Sequence, residues 1–485
     1  MKTLPKFALV LAAVASLAGC VSVPDNAGQD PSDPWETMNR NTFAFNQKLD
    51  TYVYRPVAKG YEFVVPEYAR ERIGNIYVNL NEPANAINNA LQGKGEGALV
   101  SLFRLMINTT LGLGGMYDVA GTAANQPTRR EDFGQTLAVW GVGNGPYFVI
   151  PFLGPSTLRD APSLGVDYLT APQPWLDGGW AEWAAWGVLA MDYRLRMMPA
   201  TDLLEGAVDP YLMAREAYLS TRRNAVYDGN PPLEFPEDEF EDELEDEATD
   251  TAEAPQQPAA EAKEKKAMLD MMIGKRRLLT AMGAAVVLAA ITGPAAWAAD
   301  AKGDPEQWIV EISNKILEDI RTDAQLSQAD PARVRRFVDE QIMPVVDFER
   351  MTRTAVGPKW RQATKEQRKE LMDLFREQLI RVYSGALATV KDQTFKLAPN
   401  RVKPTATDAI VRTLLVSPGK PDMRINYRLK KVKGEWRIID VDVEGIWIVD
   451  NYRTQFASVA NQSGIDGLIK TLREKNEQAA QNASK

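Results

Sequence analysis

Apolar residues in the second half of the chain follow two different periods. Leu371, Leu374, Phe375, Leu379, Val382, Tyr383 and Ala386 recur at helical spacing in "ATKEQRKELMDLFREQLIRVYSGALATV" and predict a long helix with a broad apolar face. Two further helices are predicted in "DPEQWIVEISNKILEDIRTD" and "DPARVRRFVDEQIMPVVDFERMTRTAV", each opened by Asp-Pro, with aspartate as N-cap and proline as first helical residue. The period then becomes two. "DMRINYRLKKV" alternates strictly, sending Met423, Ile425, Tyr427 and Leu429 inward and Arg424, Asn426, Arg428 and Lys430 outward. "AIVRTLLVS" is mostly apolar and fits a strand within the sheet, and "EWRIIDVDVEGIWIVDNYRTQF" supplies one or two more strands. A closing helix is predicted in "GIDGLIKTLREK". Residues 299–485 thus read as an α+β domain with helices on a curved antiparallel sheet.

Residues 20–233 carry weak strand signals and several helix-length apolar segments broken by glycine and proline. "PWETMNRNTFAFNQKLDTYVY" puts Met38, Phe45, Leu49 and Tyr52 near one helical face, while "GPYFVIPFLGPSTLRDAPS" reads as a loop with exposed aromatics. Trp180, Trp183 and Trp186 lie three residues apart. They fit either a core or a belt at a lipid interface.

Two apolar runs have the form of bacterial export signals. Residues 1–19 lead to Leu17-Ala18-Gly19-Cys20, an ending that resembles a lipobox, with Cys20 as the lipidated residue. Residues 274–298, "GKRRLLTAMGAAVVLAAITGPAAWA", combine a basic start, an apolar run and an Ala296-Trp297-Ala298 cleavage site in mid-chain. The chain therefore looks like two exported proteins joined end to end. Cleavage after Ala298, a membrane span and a retained tether are all open to the internal signal.

Charge sharpens the division. The whole chain has 56 Lys+Arg and 65 Asp+Glu; residues 301–485 hold 32 and 26, leaving 24 and 39 for residues 1–300. Most of that deficit lies in 234–273, where "EDEFEDELEDE" places nine acids in eleven residues. This segment reads as a self-repelling disordered linker, or as an acidic partner-binding tail.

There is no histidine, and Cys20 is the only cysteine. Histidine-based triads, histidine acid–base chemistry and the usual zinc sites are excluded, as is an intrachain disulfide. No nucleophile elbow, P-loop or dinucleotide fingerprint stands in its required context. No catalytic residue, metal site, cofactor or nucleic-acid interface is expected.

"DPWETMNRNTFAFNQKLD", "NLNEPANAINNALQGK", "INTTLGLGGMYDVA", "EDFGQTLAVWGVGNGPYFVIPFLGPSTLRD" and "DPYLMAREAY" together resemble the MlaA (VacJ) family of outer-membrane lipoproteins. The resemblance covers Asp33 to Tyr218 in family order; Arg104-Leu105 stands where the family usually has Arg-Phe. It implies an all-α helical ring in the outer membrane around an amphipathic channel that takes phospholipid from the outer leaflet, beside a trimeric porin. The channel candidates within these blocks are Asn39, Phe43, Phe45, Asn108, Gly112, Gly114 and Gly115.

"PVVDFERMTRTAVGPKWRQATKEQRKEL", "WRIIDVDVEGIWIVDNYRTQF" and "GIDGLIKTL" resemble MlaC, a family of periplasmic phospholipid carriers, over roughly 310–475. That resemblance implies an apolar pocket where a generic α+β domain would have a filled core. Its candidate lining is Leu371, Phe375, Leu379 and Tyr383 on the long helix, Met423, Ile425, Tyr427 and Leu429 on the strand, and Trp447, which replaces the family's usual small polar residue. Intermembrane phospholipid transport is the implied function, with contact between the two modules and delivery to an inner-membrane Mla ABC transporter. A lipid-modifying envelope enzyme and a structural porin-associated lipoprotein are the alternatives.

Overall fold

The computed structural model describes residues 23–24, 27–170, 179–232, 301, 303–328, 330–387, 390–399, 403–417 and 422–483. Cys20, the acidic segment and the internal signal-like segment lie outside the described residues.

In the first module α1 (Glu36–Leu49) runs through a π-helical turn, Asp50–Tyr54, into α2 (Arg55–Val64). Next come α3 (Glu67–Leu91), α4 (Gly95–Thr110) and the short α5 (Phe133–Val139). The stretch expected to be an exposed loop is instead an antiparallel hairpin, β1 (Tyr147–Ile150) with β2 (Gly154–Thr157), so the module is not purely helical. Positive φ at Phe152 and Gly154 closes its turn. Tyr147 and Val149 are buried against Phe43, Tyr211 and Leu212, which makes the hairpin part of the core. Then follow α6 (Asp160–Thr170), α7 (Trp180–Arg196), α8 (Met198–Glu205) and α9 (Pro210–Val226). Asp209 caps α9 by accepting from the Tyr211 and Leu212 amides.

In the second module Asp304 and Asp330 cap α10 (Pro305–Thr322) and α11 (Pro331–Phe337), as the Asp-Pro pairs predict. Next come α12 (Phe348–Val356) and α13 (Lys365–Leu387). The sheet is a five-stranded antiparallel meander: β3 (Thr394–Leu397), β4 (Asp408–Val416), β5 (Met423–Val432), β6 (Glu435–Val443) and β7 (Ile446–Trp447). β6 and β7 are the one or two strands expected in "EWRIIDVDVEGIWIVDNYRTQF", and the closing helix starts earlier than "GIDGLIKTLREK" predicts. Residues 448–483 form α14 (Ile448–Ala483), with a break at Gly464, where φ is 69°. The break falls between the apolar positions of "IVDNYRTQF" and those of "GIDGLIKTL", and apolar residues on both sides of it, Tyr452 and Phe456 before and Leu468 and Leu472 after, are buried.

Phe375 of α13 is shut off from solvent between Phe348, Tyr452 and Phe456, with ring centroids 5.7, 5.0 and 5.1 Å away. This aromatic cluster fastens α12 and α13 to α14. Phe375→Ala should destabilise the second module by about 3–5 kcal/mol, seen as an earlier unfolding midpoint in urea. A loss below about 1 kcal/mol would mean that the cluster does not hold these helices.

Candidate functional site

Beside the apolar core around Tyr147 and Tyr211, the first module buries a polar face along α3 and α4 and exposes many large apolar side chains. On α3, Asn79, Glu82, Asn85, Asn88 and Asn89 are buried, and on α4 so are Ser101, Arg104 and Asn108. Arg104 and Glu82 form an ion pair of 2.6 Å with side chains 1% and 0% exposed. The Asn88 amide oxygen accepts from Thr136 Oγ1 at 2.9 Å, and that of Asn85 accepts from the Glu131 amide at 3.2 Å, tying α3 to the α5 segment. The opposite face of α4 presents Leu99, Leu102 and Met106 to the outside. Phe63 is 92% exposed and Trp180 85%, and Tyr52, Val64, Leu111, Leu113 and Leu153 are exposed as well. Among the described residues, every exposed large apolar side chain except Met423 belongs to this module. A surface of that kind is stable against apolar surroundings and unfavourable in water. No helix among the described residues is long and apolar enough to cross a membrane.

The candidates in this module hold its frame. Asn39 Nδ2 donates to Asp33 Oδ1 at 2.7 Å and to the Tyr147 carbonyl at 3.1 Å, while its Oδ1 accepts from the Val149 amide at 2.9 Å. It thereby clamps α1 to the hairpin. Tyr211 and Arg215 reach the same Asp33 carboxylate from α9. Phe43 lies in the core, and Phe45 meets Phe152 edge-on at 5.3 Å. Asn108 donates to Asp118 Oδ1 and accepts from the Ala120 amide, each at 2.9 Å. Gly112 has no room for a Cβ, which would stand 2.3 Å from the Tyr117 carbonyl; Gly114 and Gly115 have φ of 74° and 90°. These three glycines turn the chain tightly after α4.

The sheet of the second module has two buried faces. On one, Tyr427 and Leu429 pack with Val411 and Ile438 under Trp308, Ile309 and Ile312 of α10. Ile425 is partly buried there, while Met423, at the strand end, is 42% exposed. The Tyr427 hydroxyl meets Ser313 Oγ at 3.1 Å. Leu371 and Phe375 are not brought to this face: both are fully buried, and Phe375 joins the aromatic cluster with α14. Leu379 and Tyr383 are partly buried. A different residue of α13, Ile380, packs with Ile320, Leu326, Val334 and Phe337, and this cluster shares Ile316 and Val390 with the one on the sheet.

The other face was expected to meet solvent. Instead Asn426 and Arg428 are buried, because α14 and the first module cover it. The Arg428 guanidinium donates to Asp440 at 3.1 Å and Asp450 at 2.8 Å and lies 3.9 Å from the Trp447 ring centroid. Burial pushes the Asp440 carboxyl up to about 8, Asp450 adding to the rise and Arg428 opposing it. Burial likewise raises Asp442, which accepts from Asn426 Nδ2 at 2.8 Å.

The modules meet along α8, α9 and the segment after it. The Asp209 amide donates to Gln455 Oε1 at 3.1 Å, Asn451 donates to the Met213 carbonyl at 3.4 Å, and Ser220 donates to the Gly445 carbonyl. Arg412 donates to Asn230 Oδ1 at 2.7 Å, and Gln378 and Arg381 of α13 donate to the Gly206 carbonyl. Sequence reasoning did not single out these residues. The one available signal was polar Gln378 and Arg381 interrupting an otherwise apolar helical face.

Residues 31–225 match the family model described as MlaA lipoprotein. The intermembrane phospholipid transport system lipoprotein MlaA of Shigella flexneri is 40% identical over 220 residues, covering 44% of this chain and 85% of the relative. That of Haemophilus influenzae is 35% identical over 234 residues, covering 47% and 93%. The chain belongs to the MlaA lipoprotein family. Residues 310–474 match the family model described as MlaC protein, so MlaA-like and MlaC-like modules are fused in one chain. A phospholipid-binding protein from Ralstonia solanacearum, solved in complex with a phospholipid, is 35% identical and covers 37% of this chain and 99% of its own, with a TM-score of 0.35. A chain solved for the structural basis of bacterial outer membrane lipid asymmetry is 38% identical, covers 41% and 100%, and has a TM-score of 0.36.

The raised Asp440 gives the MlaC-like module a signed pH response. A carboxyl that titrates higher in the folded state binds an extra proton there between its ordinary range and about 8. Its contribution to stability is full below that window and lost as pH rises through it. Asp440→Asn should therefore flatten the fall in melting temperature between pH 5 and pH 8. Superimposable profiles for the two proteins would show that Asp440 is ionised throughout.

Proposed function

We propose that the chain moves phospholipid out of the outer membrane and carries it into the periplasm, maintaining outer-membrane lipid asymmetry without covalent chemistry. The observation that carries this reading is the buried polar face of α3 and α4 with a largely apolar exterior, in one chain with an MlaC-like module. The MlaA-like module lies in the inner leaflet, anchored through acylated Cys20. Polar groups on its inner side let a headgroup pass a depth at which bare hydrocarbon would exclude it. The tight turn at Gly112–Gly115 and the Asn39 clamp shape the wall of that passage. A trimeric porin stands beside the module in the membrane, and an inner-membrane Mla ABC transporter receives the lipid.

A carrier is required by magnitude. Two acyl chains hold roughly 30 methylenes, whose exposure to water would cost on the order of 24 kcal/mol at about 0.8 kcal/mol each. In the MlaC-like module the acyl chains lie between α10 and the strand face of Ile425, Tyr427 and Leu429, and extend past Ile316 and Val390 toward Ile380 on α13. This continuous apolar interior supports the assignment. The contact between modules along α9 is the handover position. Cleavage after Ala298 would free the carrier, and an intact chain would keep it tethered.

Ile316 stands where the two clusters join. Ile316→Asp should lower the phospholipid that co-purifies with the folded full chain at least tenfold, measured by lipid extraction and mass spectrometry. An undiminished load of one phospholipid per chain would remove the acyl chains from this interior.

A further inference from the structure

At the junction two cations, Arg381 and Lys475, come near each other, the Arg381 guanidinium donating to the Lys475 backbone carbonyl. Arg381, on α13, directs its guanidinium at three neutral oxygens: the Gly206 carbonyl at 3.2 Å, the Lys475 carbonyl and the Gln378 side-chain oxygen. Its Nε is buried without a hydrogen-bond partner. Burial weakens the hold of Lys475, on α14, on its proton; the Arg381 charge adds to this and the Asp209 carboxylate opposes it. Among the described residues neither cation forms an ion pair, and the nearby acids are engaged elsewhere. Glu377 is gripped by Arg335 at 2.8 and 3.1 Å, and Asp209 by Arg40 at 2.8 and 3.2 Å. Crowding like charges under partial cover is unfavourable unless an anion or an oriented dipole answers them. Here the answering group is the carbonyl at the C-terminal end of α8, the negative pole of that helix.

We propose that Arg381 and Lys475 form a binding site for a phosphate anion, the phosphodiester of a phospholipid headgroup, and that the Gly206 carbonyl occupies this site while the modules are docked. A guanidinium fork beside an ammonium suits a phosphate with two free oxygens, and a full negative charge outcompetes a carbonyl dipole. Filling the site takes Arg381 away from Gly206, so an arriving headgroup loosens the docked carrier. The assignment rests on the transport reading above and adds the group that recognises the headgroup.

The test uses delipidated full-length chain incubated with vesicles of phosphatidylethanolamine and phosphatidylglycerol at three to one, with bound lipid counted by native mass spectrometry. The double variant Arg381→Gln/Lys475→Gln should bind both lipids about tenfold more weakly, with phosphatidylglycerol losing more. Arg381→Lys/Lys475→Arg, which keeps both charges, should restore binding, and this pair decides the matter if the neutral variant fails to fold. Inorganic phosphate at tens of millimolar should compete with lipid for the wild type and leave the neutral variant's residual binding unchanged. Equal lipid binding by wild type and a folded neutral variant would overturn the site and leave the transport reading standing. Failure of the wild type to bind any phospholipid would overturn both. Competition by phosphate with no loss in the neutral variant would assign phosphate to another site and overturn this one.

Discussion

The Glu82–Arg104 ion pair, closed to solvent on both sides, is the constraint around which the first module is built. An ion pair so deeply buried costs several kcal/mol in desolvation and holds only where its remaining donors and acceptors are answered. Arg104 therefore also reaches Asp118 at 3.1 Å and the Gln126 carbonyl, and buried asparagines line the rest of α3. Placing the polar side of α3 and α4 inside leaves Leu99, Leu102 and Met106 no place but the outside. The inversion is thus a single choice with two consequences. It lines α3 and α4 with buried polar groups and leaves the opposite face of α4 apolar and exposed.

The second module solves the complementary problem. One face of its sheet is apolar and covered by α10. The reverse face carries Arg428, Asp440, Asn426 and Asp442, and is covered by α14 and the first module. Polar groups are thereby gathered at the junction and apolar ones away from it.

Much of this was legible in the sequence wherever local rules govern. The Asp-Pro caps, the meander and the interior placement of Tyr427 and Leu429 follow from capping chemistry and period two. The family resemblances were carried by motif blocks, and residues 31–225 and 310–474 match the same two families. What escaped depended on distant cover. Alternation says that Arg428 and Tyr427 face opposite ways, yet it cannot say that α14 and another module will bury the charged face. Periodicity gave α1 an apolar stripe, and the structure turns Met38 and Tyr52 of that region outward, because the sign of burial depends on the surrounding medium. The closing helix, expected from Gly464, begins already at Ile448, because "IVDNY" has β-branched and aromatic residues that suit either state and Asp440 Oδ1, accepting from the Val449 amide at 2.9 Å, helps start the helix there.

The central claim is passage of a phospholipid from a bilayer, through the first module, into the second. It is tested most directly with the full chain in proteoliposomes made with deuterated phospholipid, followed by proteolysis within residues 233–296 and native mass spectrometry of the released second module. The account predicts one deuterated diacyl phospholipid per released module, and none when the first module is left out of the bilayer. A released module that stays empty while the first module is embedded, or that fills equally well without it, would contradict the account.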